Sequence, residues 1–459
     1  MITSFYRNIL IRGYESGLRR RRTFGYLHGL ERTQWLSRAE LEELQLAALR
    51  RLLEHTLAHC PYYRERWHEL GLSPRSLQTA ADFGRWPVID RATVQQNRVA
   101  MQARVPGLRL LTKTTGGSSG VPLRFDFDQN SNDRRKAAWH RGYSWAGAGL
   151  GTKQVHFWGT DLGQVPSWRR LKASLHDRLY RHEMLSSYLL SEATAPEFLR
   201  RLNRARPEAI VAYTNPLYVF ARFLREKGLT PHRPRAIVVG AEKLYDFQRG
   251  LIESVFQAPV FETYGSREFM LLGAECDRHA GLHSTTEHIL LEVLDDDGRP
   301  TPDGEEGNVV VTDLYNYGMP FVRYANGDRA IAGWGSCSCG RGLPLLKRVV
   351  GRRLDIITTP DGRTIPGELF VHVLRDLPSL QRYQVVQETS DRIELRIVLR
   401  GDRPEEEISR LEKELGSVLG PSIRLAIVEV DDIPLTRAGK LQVVVNRTLQ
   451  EESLSPPSR

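Results

Sequence analysis

"AIVAYTNPLYVFARFLREKGLTPHRPRAIVVG", residues 209–240, sets two short apolar runs on either side of a helical pattern. Ala209–Ala212 and Ala236–Gly240 read as strands, and Leu217–Lys227 between them reads as a helix. Strand and helix in alternation argue for an α/β core. Downstream the chain turns β-rich, with Ile289–Leu294, a turn at Asp295–Gly298, and Asn308–Leu314. Upstream, Ser37-Arg-Ala-Glu40 is a capping box, after which Leu41, Leu44, Ala48 and Leu52 fall on one face at helical spacing. Proline stops that helix near Cys60-Pro61.

The pattern changes near Gly351. Ile393, Leu395, Ile397 and Leu399 alternate strictly within Arg392–Arg400, which predicts a strand with one buried face. Asp402 is placed to cap a helix with Glu405 at its third position and Ile408, Leu411, Leu415 and Val418 inward. Ile423–Val430 reads as another strand. This β-α-β set forms a second domain, so the chain divides into 1–350 and 351–459. Its 459 residues also imply at least two domains.

Composition is that of a globular protein, 41% hydrophobic and 26% charged. No apolar run approaches the ~18 residues of a membrane span, and the N-terminus lacks a signal-peptide core, so a cytoplasmic protein is expected. The net charge of +10 is dispersed, apart from a cluster at Arg19–Arg22. Zinc-finger spacing, aromatic-basic motifs and long basic arms are absent, so the basic balance suits anionic small ligands and no nucleic acid is expected. The opening MITSFYRNIL is mildly amphipathic. It suits a helix docked on its own domain, with weak peripheral membrane contact as the other reading. Four cysteines, Cys60, Cys276, Cys337 and Cys339, are too few for a disulfide framework and fit a reducing compartment.

Thr114–Pro122, TTGGSSGVP, has the small residues that let backbone N–H groups approach phosphate oxygens. No Lys-Ser/Thr follows its last glycine, so it is not a P-loop. Thr115-Gly-Gly-Ser-Ser-Gly-Val-Pro122 resembles the phosphate-loop motif of the adenylate-forming superfamily, whose members activate carboxylates with ATP. Gly240-Ala-Glu242, Tyr264-Gly-Ser-Arg-Glu268, Arg323-Tyr-Ala-Asn-Gly-Asp328, Gly351-Arg352 and Pro434–Lys440 resemble that superfamily's later motifs, in order. Cys60-Pro-Tyr-Tyr-Arg64, Glu275-Cys with Gly281-Leu-His283, and Cys337-x-Cys339-Gly-Arg341 resemble the phenylacetate–CoA ligases in particular. Arg267 within YGSRE resembles the capsule-biosynthesis, CapK-type branch.

The resemblance implies a large N-terminal adenylation domain of mixed β-sheets and helices, with a small mobile α+β lid at the C-terminus. Thr114, Thr115, Gly116, Gly117, Ser118, Ser119 and Gly120 would hold the outer phosphates of ATP. Gly240, Ala241 and Glu242, with Glu262, Thr263, Tyr264, Gly265 and Ser266, would form the adenine side. There Tyr264 would stack on the base and Glu262 accept from its amino group. Glu268 would bind Mg2+, Asp328 the ribose hydroxyls with Arg352 nearby, and Lys440 the α-phosphate. Arg267 would clamp a phosphate or a carboxylate, or fill part of the acyl site. Cys276, Cys337 and Cys339 with His283 make a Cys3His set suited to structural zinc, and His279 is a rival ligand.

Three departures stand out. Leu354 occupies the hinge position where relatives carry Asp or Lys, with Asp355 beside it. Arg267 replaces a small residue, and Ala438 and Leu441 only partly match the lysine motif. The expected activity is adenylation of a carboxylic acid followed by transfer to CoA. Rivals are transfer to an amine or a carrier in a polysaccharide pathway, and a non-catalytic nucleotide-binding homologue. Trp139, Trp145 and Trp158 hint at an aromatic or bulky apolar acid. A homodimer is compatible with the resemblance.

Overall fold

The computed structural model describes residues 2–115, 123–158, 167–190, 192–333, 335–352, 356–360, 364–366, 370, 374, 379–401, 404–434 and 442–448. They fall into two compact units, one built from Met1–Thr115 and Leu123–Val350, the other taking up the described residues from Gly351 onward.

In the first unit a hairpin of β1 (Leu110–Thr114) and β2 (Arg124–Asp128) precedes the main sheet. Among the described residues that sheet has eleven strands. These are β3 (Gln154–Trp158), β4 (His182–Ser186), β5 (Ala209–Tyr213), β6 (Ala236–Gly240), β7 (Val260–Ser266), β8 (Met270–Glu275), β9 (Leu282–Ser284), β10 (Ile289–Leu294), β11 (Glu306–Asp313), β12 (Tyr324–Gly333) and β13 (Leu345–Arg352). Their order is β10-β11-β12-β13-β9-β8-β7-β6-β5-β3-β4. From β4 through β3, β5 and β6 to β7 the pairing is parallel, and at β7–β8 it turns antiparallel.

β5 and β6 are buried at every position, as unbroken apolar runs must be when a parallel sheet is covered on both faces. Ile210, Ala212, Ile237 and Val239 face the helices Ala195–Ala205, Thr214–Glu226 and Asp246–Phe256. Ala209, Val211, Ala236 and Val238 face Tyr143 and Trp139 of the helix Gln129–Trp145. Buried ion pairs hold that helix in place: Arg135 to Asp313 at 2.6 Å and Arg141 to Glu287.

The capping box at Ser37 forms as expected and starts the helix Arg38–His59. Its buried set is Leu41, Ala48, Leu49, Leu52, Leu53 and Thr56. Leu44 is not among them and is 46% exposed, because the buried face is centred between Leu52 and Leu49 and Leu44 lies on its flank. Pro61 opens a further helix directly, at a position where its missing N–H has no partner to lose.

The second unit has a hairpin, β14 (Ile356–Thr358) with β15 (Thr364–Pro366), and a four-stranded sheet among the described residues. That sheet runs β18 (Arg424–Glu429), β17 (Arg392–Leu399), β16 (Leu380–Thr389), β19 (Val444–Asn446). Ile393, Leu395 and Ile397 pack on Ile408, Leu411, Leu415 and Leu419 of the helix Glu405–Leu419. Pro404 immediately precedes this helix, so Glu405 is its first residue and not its third. Asp402 lies outside the described residues.

Candidate active site

β3, β5, β6 and β7 end on one edge of the sheet, at Trp158, Tyr213, Gly240 and Ser266. In open α/β sheets the carboxyl ends of parallel strands are where ligands bind. β7, where the direction of pairing reverses, brings Glu262 to Ser266 to that edge.

Two glycines are demanded by close approach. A Cβ on Gly240 would meet the Thr263 hydroxyl at 2.5 Å, and one on Gly265 would meet the Met270 carbonyl oxygen at 2.1 Å. Thr263 Oγ1 donates to the Val239 carbonyl at 2.8 Å, tying β7 to β6. Ala241 takes a left-handed φ of 69°. The Glu242 carboxylate accepts from the Asn215 backbone N–H at 2.8 Å, a negative charge on the first turn of the helix Thr214–Glu226.

Tyr264 is buried in the main core, and its hydroxyl donates to Asp328 Oδ2 at 2.7 Å. Asn326 Nδ2 donates to the same oxygen and to the tyrosine hydroxyl, each at 2.8 Å. This network fixes the Asp328 carboxylate and gives Tyr264 an orienting role beside the expected stacking one. Arg323 serves structure: it is buried, at a φ of 51°, with two guanidinium nitrogens on Glu292.

Arg267 is exposed and donates from Nε to the Thr114 carbonyl at 3.3 Å. It thereby links the YGSRE segment to the hairpin that carries the Gly/Ser loop. The loop's ends are pinned: Thr115 N–H donates to the Leu123 carbonyl and Leu123 N–H to Thr115 Oγ1, both at 2.9 Å. Gly116, Gly117, Ser118, Ser119 and Gly120 lie outside the described residues. Lys440 with its flanking Ala438, Gly439 and Leu441, the hinge residues Leu354 and Asp355, and the Arg352 side chain lie outside them too. Glu268 is buried, and its carboxylate has no hydrogen-bond or ion-pair partner among the described residues. Ser266 Oγ accepts from Phe269 N–H at 3.3 Å, closing the turn that places Glu268.

Glu262 lies among charges. Its backbone N–H donates to Glu275 Oε2 at 2.7 Å, and Arg249 donates to Glu275 Oε1 at 2.8 Å. Burial and then the Glu275 charge raise the Glu262 carboxyl from 4.5 to about 7, against the opposing pull of Arg249 and Lys243. The folded state therefore favours the protonated acid. The stability this contributes is complete below pH 4.5 and is lost as pH rises through about 7. Glu262→Gln is expected to flatten the decline of Tm across that window. An unchanged slope of Tm against pH would remove Glu262 from this account.

Several residues at or below this edge carry no sequence signal of their own. Lys113 holds its Nζ 4.8 Å from the Phe127 ring, and burial, followed by repulsion from Arg135 and Arg267, lowers it to about 8. Tyr213 is another, and it pairs at 4.1 Å with Trp158, which the sequence already singles out. Deeper in the sheet, the rings of His156 on β3 and His182 on β4 lie 4.3 Å apart, both held neutral by burial. The Ser186 and Ser187 hydroxyls at the end of β4 are buried without hydrogen-bond partners among the described residues. Trp139 and Trp158 do pack on this face. Trp145 also makes a second set of contacts, its ring against His283 and beneath Arg341.

The cysteine constellation assembles as a cluster of its own. Ligand atoms of Cys276, His283, Cys337 and Cys339 all lie within 4.8 Å of one another. Cys276 and Cys337 sulfurs are 3.7 Å apart, and Cys339 Sγ is 3.3 Å from His283 Nε2. A tetrahedral zinc with its usual bond lengths requires separations of about 3.5–3.8 Å between such atoms. His283 Nδ1 lies 3.2 Å from the Leu343 carbonyl, the contact that leaves Nε2 as the ligating nitrogen. His279 stands apart from the cluster: its Nδ1 is 3.2 Å from Glu275, and its ring packs on Phe261. The strand β9 places His283, and not His279, at the sulfurs. Cys60 is a buried core thiol, raised to about 12 by burial.

Residues 357–447 match the CapK C-terminal domain family. Over 442 residues the chain is 23% identical to phenylacetate-coenzyme A ligase of Thermus thermophilus, covering 90% of this chain and 97% of that one. Protein CapK of Staphylococcus aureus is 24% identical, with 89% of each chain covered. Over most of its length the chain is thus similar to phenylacetate–CoA ligases and to protein CapK. Among solved structures, 2-hydroxyisobutyryl-CoA ligase in its postadenylation state, in complex with R3-HIB-AMP, superposes with a TM-score of 0.72. At 20% identity it covers 93% of this chain and 94% of its own, and it shares the adenylate-forming fold.

Proposed function

We propose that this chain is an ATP-dependent acid–thiol ligase. It would activate a carboxylic acid as an acyl adenylate and then form its CoA thioester. The observation that carries this reading is the set of three acidic side chains gathered around β7, each in a different setting. Glu262 is shifted toward the neutral acid, Asp328 is oriented by Tyr264 and Asn326, and Glu268 is buried with no partner for its carboxylate among the described residues.

Each setting suits a different part of ATP. Glu262 faces the adenine amino group, Asp328 the ribose hydroxyls, and Glu268 would hold Mg2+, which supplies charge neutralisation where phosphate and carboxylate meet. Thr114 and Thr115, with the loop from Gly116 to Gly120, cradle the outer phosphates, and Arg267 fixes that hairpin against β7. The acid's carboxylate oxygen attacks the α-phosphorus, the bond to the β-phosphate oxygen breaks, and pyrophosphate leaves. The CoA thiolate then attacks the acyl carbon and AMP departs. Residues 1–350 would bind ATP and acid, and 351–459 would act as the lid that delivers Lys440. Cys276, His283, Cys337 and Cys339 would hold a structural zinc, with every position filled by protein.

Pyrophosphate release measured across a panel of acids, with CoA consumption measured in parallel, tests the reading. Acid-dependent release with stoichiometric CoA loss is expected. Release without CoA loss would move the acyl group to an amine or a carrier. ATP binding without any release would leave a non-catalytic homologue.

A further inference from the structure

We propose that two adjoining helices of the first unit form a docking face for an anionic lipid surface. The first is the N-terminal segment, helical over Ile2–Phe5, Tyr6–Ile11 and Gly13–Leu18. The second is the helix Ser167–Tyr180, SWRRLKASLHDRLY. They meet where the Tyr14 and His176 rings lie edge to face at 6.5 Å and the Tyr180 hydroxyl donates to Glu15 at 2.8 Å.

Both helices expose apolar side chains that a folded core normally covers. Ile2, Phe5 and Ile9 on the first, and Trp168, Leu171 and Leu175 on the second, are each between 48% and 63% exposed. Trp168, Leu171 and Leu175 stand three and then four residues apart, so they form one stripe along their helix. Large apolar side chains gathered this way on a surface mark an interaction site.

The charge around them selects the partner. Arg12, Arg19, Arg20, Arg22, Lys172 and Arg178 are all exposed on these segments or directly beside them. Their acidic neighbours are largely spent: Glu15 is buried under Arg21 and Tyr180, and Asp177 is half-buried beside His176. An apolar stripe flanked by arginine and lysine matches acyl chains below and lipid phosphates around. A second copy of this chain would instead bring two arginine clusters together. No helix among the described residues is long and apolar enough to cross a membrane, so the contact would be peripheral. The inference does not depend on which acid the catalytic site takes.

Co-sedimentation of the full chain with vesicles tests it. Vesicles of phosphatidylcholine with phosphatidylglycerol are expected to bind about tenfold or more protein than vesicles of phosphatidylcholine alone. Binding should fall as salt is raised, and tryptophan emission should shift to the blue on binding. Leu171→Glu with Leu175→Glu, and separately Arg19→Glu with Arg20→Glu and Arg22→Glu, should each abolish the anionic preference. Pyrophosphate release without vesicles should stay at the parental rate, which shows that both variants fold. Wild-type protein left in the supernatant with both vesicles would overturn the proposal, as would variants that bind like the parent. A wild-type dimer that the leucine variant splits into monomers, with no vesicle binding, would assign the face to a second copy and also overturn it.

Discussion

Glu268→Gln is expected to slow acid-dependent pyrophosphate release by about two to three orders of magnitude, while Tm stays level. The two readouts move apart for one physical reason. The Glu268 carboxylate has no hydrogen-bond or ion-pair partner among the described residues, so its charge is available to a ligand and no fold contact depends on it. Gln keeps the shape and removes the charge that would hold Mg2+, while no contact of the fold is lost. Asp328 makes the contrast. Two donors, Tyr264 and Asn326, already bind its carboxylate, so Asp328→Asn sets an amide among groups that need an acceptor. There the Tm should fall together with activity. Rates within about threefold of the parent in Glu268→Gln would sink the magnesium assignment.

How far the sequence reveals this site depends on how local each interaction is. The parallel half of the sheet is legible because β5 and β6 are covered on both faces and cannot tolerate a polar residue. Thr115–Pro122, Gly240–Glu242, Tyr264–Glu268 and Arg323–Asp328 are legible as motifs because each is contiguous. The pairing of Tyr264 with Asp328 is not, since it joins residues 64 apart through a sheet register that no local pattern encodes. His156 and His182 escape for a similar reason. A single histidine in a strand does not announce its face, and only the alignment of β3 with β4 brings the two rings together. Leu44 shows the limit within one helix: apolar spacing marks a stripe, but the neighbouring elements decide which edge of it is covered. The choice between His279 and His283 is likewise settled by a strand. β9 pairs with β8 and β13, and so carries His283 to the sulfurs.

The same strand pairing makes the cysteine cluster the other site of large expected effect. Cys276 follows β8, His283 lies on β9, and Cys337 and Cys339 precede β13, so a metal there would join three segments of the main sheet. Protein purified without chelator is expected to hold about one zinc per chain. Cys276→Ser should lose the metal and lower Tm by roughly 10 °C, because metal-binding energy at a site absent from the unfolded chain is folding energy. Cys60→Ser is the control: a buried thiol outside the cluster, it should lower Tm modestly and leave zinc content intact. The loss should also reach the nucleotide edge. Glu275, the residue before Cys276, accepts from Glu262 N–H, so slackening the cluster displaces the charge that, after burial, raises the Glu262 carboxyl. Cys276→Ser is therefore expected to raise KM for ATP, with a smaller effect on kcat for the protein that remains folded. Zinc-free protein whose Tm ignores both chelator and Cys276→Ser would show that the four side chains are packed without a metal, and the coupling to Glu262 would then have no source.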